Sequence, residues 1–153
     1  MRLSPSDGRP SAPAMSTPES SPYTVSVSAD GPFIHYRSLA SARNSAEMAS
    51  RLSSAVTLGQ AHQLNRIMFD SRGAPFQAGI AAQYEYAYNR AWQLGLTRDW
   101  RIAMVITPGD RSYDFMETAF INSGYIARLF NDYKRAVEWL CGQGVAPAEP
   151  GAT

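Results

Sequence analysis

The chain has 153 residues, 44% of them hydrophobic and 18% charged, and its 14 basic and 13 acidic residues leave a formal net charge of +1. That is enough for one domain with a core of its own. The balanced charge argues against nucleic-acid binding, which needs a basic excess on one face. Cys141 is the single cysteine, which excludes an internal disulfide or a cysteine-based metal cluster. No apolar run approaches the roughly 18 residues of a membrane span, so stable membrane insertion is not expected. The first 22 residues lack the apolar core of a secretory signal, and a cytoplasmic location is expected.

Residues 1–22 are rich in proline and serine, show no hydrophobic periodicity and read as a disordered tail. Met1 and Met15 are alternative starts. Order is expected over 23–141. Tyr23, Val25 and Val27 alternate with polar residues as in a half-buried strand, and Ala29-Asp30-Gly31-Pro32 turns the chain into a second strand over 33–39. Asn44 and Glu47 fit a capping box for a helix to about Gln60, with Met48, Ala49, Leu52 and Val56 inward and Gly59 weakening its end.

Ile67, Met68 and Phe69 form a short continuous apolar run, the pattern of a strand buried on both faces, which stops at Asp70. Pro75 suits the first turn of a second helix reaching about Gln93. Its inward stripe is Ile80, Tyr84, Ala87, Ala91 and Leu94, with Tyr84 and Tyr88 packed on the sheet and Tyr86 partly exposed. Gly95 ends that helix, and Arg101 to Thr107 is a second buried strand. Asp110 is the expected cap of a third helix, whose inner side is marked by Phe115, Ala119 and Ile121 or Asn122. Gly124 stops it, residues 125–130 form a fifth strand, and Asn131 or Asp132 caps a last helix burying Ala136, Val137 and Leu140. Residues 142–153 read as a flexible tail. The order predicts an α/β domain with a mixed sheet of about five strands, an N-terminal hairpin followed by βαβ crossovers, and four helices.

Several blocks carry a family resemblance: Phe69-Asp70, Y-E-Y-A-Y from Tyr84, I-A-M-V-I-T-P-G-D from Ile102, D-F-M-E-T-A-F-I-N-S-G-Y from Asp114, R-L-F from Arg128 and A-V-E-W-L from Ala136. In this order the chain resembles the bacterial SpoIIAA-like family, described as STAS/SEC14-like, over Tyr23 to about Leu140. The resemblance implies the STAS fold and a non-enzymatic regulatory module that binds a protein partner, such as a kinase or an anti-sigma-type regulator. In anti-sigma antagonists the serine of an Asp-Ser pair after the central strand is phosphorylated. Asp70-Ser71 stands at that position, with Arg72 beside it, although Arg72-Gly73-Ala74-Pro75 delays the helix that follows directly in those proteins.

The alternative from the SEC14-like side is a small-molecule or lipid-binding domain with an aromatic-lined groove of Tyr84, Tyr88, Asp110 and Tyr113. No cofactor is expected. Asp70, Asp110 and Asp114 are better explained as turn and helix-start residues than as a metal site, and no nucleophile-elbow pattern joins Ser71 to a histidine. Aromatic residues at Tyr86, Trp92 and Trp100 are candidates for a homodimer interface.

Overall fold

A computed structural model describes residues 21–142. The strands are β1 (Tyr23–Val27), β2 (Ile34–Ser38), β3 (Arg66–Asp70), β4 (Arg101–Val105) and β5 (Ile126–Phe130). The helices are α1 (Ser45–Ala61), α2 (Ile80–Glu85, continued by a π-helical turn at Tyr86–Arg90 into Ala91–Gln93), α3 (Asp114–Asn122) and α4 (Tyr133–Cys141). The sheet runs β1-β2-β3-β4-β5, with β1 antiparallel to β2 and every other pair parallel. The α/β class, the five-stranded mixed sheet and the four helices match the expected layout.

Three crossovers step between neighbouring parallel strands in one direction, and a constant crossover hand then sets α1, α2 and α3 on one face. Strand alternation turns Ile67 and Phe69 to that face and Met68 and Asp70 to the other. The first face packs Ile34, Ile67, Phe69, Ile102 and Met104 against the three helices. The second packs Phe33, Met68, Ala103 and Val105 under α4, through Ala136 and Leu140. Burial on both faces is why the apolar residues of β3 show no alternation.

Local signals were read with mixed success. Asn44 caps α1 by accepting from the Glu47 amide at 3.0 Å, but the Glu47 carboxylate returns to the Arg43 amide at 2.9 Å and not to Asn44. The helix ends at Ala61, two residues after Gly59. Gly59 also admits Trp100: a Cβ there would lie 2.6 Å from the indole ring. Trp100 is thus core and not an interface residue.

The helix expected at Pro75 begins only at Ile80. Gly73, at φ +81°, turns the chain out of helical geometry, and the segment through Gly79 crosses the carboxyl edge of the sheet. It is held there by the Phe76 amide donating to Ser112 Oγ at 2.8 Å and by the Tyr113 hydroxyl donating to the Ala74 carbonyl at 2.7 Å.

The α2 stripe is also corrected. Gln83, Ala87 and Ala91 face inward, together with Tyr86, while Ile80 and Tyr84 are exposed. Those inward positions span eight residues over two turns, where an α-helix uses about 7.2. The π-helical turn takes up the excess. In α3 the inward residues are Met116, Ala119 and Phe120, with Ile121 exposed. The helix starts at Asp114; Asp110 accepts from the Ser112 amide and hydroxyl at 2.8 and 2.6 Å, closing a turn ahead of it.

Asp132 caps α4 by accepting from the Arg135 amide at 3.2 Å. Of the tails expected over 1–22 and 142–153, residues 1–20 and 143–153 lie outside the described residues. Pro22, assigned to the first tail, accepts from the Leu39 and Ala40 amides at 2.8 and 3.0 Å, so order begins earlier than expected. Among the described residues, no helix is long and apolar enough to cross a membrane.

Candidate functional site

Asp70 and Ser71 are neighbours in sequence but not in chemistry, because successive residues of an extended chain point to opposite faces. The Asp70 side chain, with no exposed area, lies on the α4 face. It accepts from His35 Nε2 at 2.8 Å, from Arg37 Nη1 at 2.7 Å, and from Arg72 Nε and Nη2 at 2.8 and 2.7 Å. His35 and Arg37 reach it because β2 runs parallel to β3 with His35 opposite Met68 and Arg37 opposite Asp70. Burial alone would raise the Asp70 carboxyl pKa, but the hydrogen bonds from Arg72 and His35 and the charge of Arg37 overcome it and hold the group well below the usual carboxylate range. The Arg72 guanidinium lies 4.9 Å from the centre of the Tyr133 ring on α4. This cluster ties together β2, the loop after β3 and α4.

Ser71 faces the other way. Its residue is 6% exposed, and its amide donates to the Val105 carbonyl at 2.8 Å. It lines a cavity of about 60 Å³ at the carboxyl end of β2, β3 and β4, on the three-helix face and open to solvent on one side. The sheet contributes Phe69 and Met104, and the helices contribute Met48, Tyr86, Met116 and Phe120. The loops add Phe76 and Tyr113, whose rings stack at 4.9 Å with an interplanar angle of 7°. Burial pushes the Tyr113 hydroxyl pKa up to about 12, so it is a neutral donor. Polar groups reach the cavity from Tyr36, Ser38, Arg51 and Ser71.

Of the expected groove, Tyr113 alone lines this cavity. Tyr84, 50% exposed, packs against Tyr88 outside it with ring centres 4.2 Å apart and tilted by 31°, and Asp110 is held in its turn by Ser112. Tyr86 replaces them: at 6% exposed it is part of the wall and no surface for a second copy. Trp92 is the one interface candidate that is exposed.

The residue that sequence reasoning passed over is Arg51, 4% exposed on the inner side of α1. Its Nη1 donates to Ser38 Oγ at 3.2 Å and to the Ala40 carbonyl at 2.8 Å, and its guanidinium lies 5.2 Å from the Tyr23 ring centre. The signal was present. Arg51 stands three residues after Met48 and four before Ala55, within the apolar stripe of α1, and a charge in such a stripe is costly without a reason.

Among the described residues, no group of three or more histidine, cysteine or acidic side chains is placed to hold a metal ion. Asp70, Asp110 and Asp114 have separate partners, the last accepting from Arg111 Nε at 2.6 Å. Compared with known proteins, the chain matches no family model and no curated sequence.

Proposed function

We propose that this chain is a non-enzymatic binding domain of the STAS/SEC14-like type, whose cavity at the carboxyl end of the sheet takes a small, largely apolar molecule. The observation that carries this reading is the cavity itself. It has an aromatic and methionine lining, a few hydroxyl groups and one open side, at the end of a parallel sheet where ligands are usually received. The non-enzymatic half rests on placement. Ser71 Oγ is on the cavity wall, while His35 is committed to Asp70 on the opposite face, so this serine and this histidine do not form a nucleophile–base pair.

Native mass spectrometry of the purified protein, with thermal shifts across a panel of small organic molecules, tests this. A co-purifying molecule, or stabilisation by a ligand that protects cavity residues, is expected. A protein that gains no stability from any apolar probe at millimolar concentration refutes it.

The regulatory reading, a protein-interaction module switched at Ser71, is favoured by one observation. Arg37 and Arg72 are partly exposed beside the Ser71 loop and present cations to an acidic partner. For Ser71 to be phosphorylated, the segment from Arg72 to Gly79 must first open, because the residue is buried. In that reading Ser71→Asp abolishes binding of a partner recovered by affinity capture; unchanged binding removes the switch.

A further inference from the structure

We infer that the ligand of this cavity is a monocarboxylate, with its head group on Arg51 and its apolar body against Phe69, Met104 and Phe120. This rests on the binding reading above and specifies its ligand class. A guanidinium removed from water needs a compensating charge. Arg51 is 4% exposed, lines the cavity, and has no carboxylate within ion-pair distance among the described residues. Glu47, one turn before it on α1, is engaged by Arg43 at 2.6 Å. Asp70 lies on the opposite face with three basic partners of its own. The protein acceptors around Arg51 are neutral: Ser38 Oγ and the Ala40 carbonyl, both on Nη1, and the Tyr36 hydroxyl beside the guanidinium. They orient the side chain without neutralising it.

The chemistry of the surroundings narrows the anion. One cation without an ion-pair partner matches one negative charge, so a phosphate monoester carrying nearly two would leave an excess in a cavity whose other polar groups are neutral hydroxyls. The planar guanidinium fork fits a carboxylate with two parallel hydrogen bonds. The hydroxyls of Ser38, Ser71 and Tyr36 line the same cavity and supply further donors to a carboxylate oxygen. A volume of about 60 Å³ holds the carboxylate and one or two carbons, and the rest of a longer ligand leaves by the open side.

The test pairs acids with their uncharged amides: acetate with acetamide, butyrate with butyramide, and benzoate with benzamide. Binding is read on protein carrying ¹³C-methyl methionine. Met48, Met104 and Met116 line the cavity, while Met68 is on the opposite face and serves as an internal control. Butyrate or benzoate is expected to shift the three cavity methyls and leave Met68 unmoved. Each should bind at least about tenfold more tightly than its amide, equivalent to about 1.4 kcal/mol.

Arg51→Gln should reduce the acid-to-amide ratio to about one without abolishing amide binding, and Arg51→Lys should restore part of the preference. If the amides bind as tightly as the acids, the cavity reading stands and the carboxylate assignment falls. If neither series moves the cavity methyls, the binding reading falls with it. Because the wild-type comparison is decisive alone, a poorly folded Arg51→Gln protein leaves the inference testable.

Discussion

Asp70 and Arg51 are two buried charges solved in opposite ways. Asp70 is surrounded by His35, Arg37 and Arg72, so the cost of its burial is offset by charge-assisted hydrogen bonds. Asp70→Asn strips Arg37 and Arg72 of their counter-charge and is expected to cost about 3 kcal/mol in urea unfolding, the low end for breaking a buried pair, because both arginines can partly rehydrate. The pH dependence follows from the lowered carboxyl pKa. Stability from Asp70 is fully present above its unfolded pKa of about 4 and is lost as pH falls toward the folded value. The gap between wild type and Asp70→Asn should therefore be constant above about pH 5 and narrow toward acid. A gap that widens toward acid contradicts the cluster's role.

At the scale of the element, α2 shows how one π-helical turn redistributes aromatic residues. With ordinary α-helical spacing, Tyr84 and Tyr88 share an inward face and Tyr86 looks outward. With the π turn at Tyr86–Arg90, Tyr86 enters the core, packing edge-on to Phe120 at 6.2 Å, and Tyr84 is displaced to the surface. Equilibrium denaturation distinguishes the two arrangements. Tyr86→Ala should cost about 3–5 kcal/mol, as expected for a large buried aromatic. Tyr84→Ala should cost less than about 1 kcal/mol, mainly from its ring contact with Tyr88. The reverse ranking would mean that α2 is a regular helix in solution.

At the scale of the molecule, the two sheet faces are unequally protected. Three helices cover one face, while α4 alone covers the other through a small cluster centred on Met68, Ala136 and Leu140. Among the described residues the α4 cluster is joined by no other helix, so α4 should open as a unit before the rest of the domain. Leu140→Ala is expected to cost about 2–5 kcal/mol. In native-state hydrogen exchange it should speed the α4 amides more than those of α1, and equal effects on both would show a single cooperative unit. The asymmetry also separates functions: the ion cluster knits the α4 side, while the cavity lies on the better-anchored side.

The order of elements, the hairpin, the buried β3, the cap at Asn44 and, to within one residue, the cap at Asp132 were legible in the sequence. They depend on interactions within a few residues and on periodicities that burial imposes along one segment. Three features were decided only by the folded chain. The start of α2 moved because the segment after Gly73 is held by Ser112 and Tyr113, more than thirty residues away. Tyr84 and Tyr86 changed places through a π turn that local spacing does not announce and that sets Tyr86 against Phe120 of α3. Asp70 and Ser71 parted because a strand sends neighbours to opposite faces, and what waits on each face is brought there by β2, α1 and α4. The sequence alone determined where the sheet ends and where a site is to be sought. The tertiary structure decided which side of that end is sealed by ion pairs and which is a cavity, because both depend on partners that only the assembled sheet brings together.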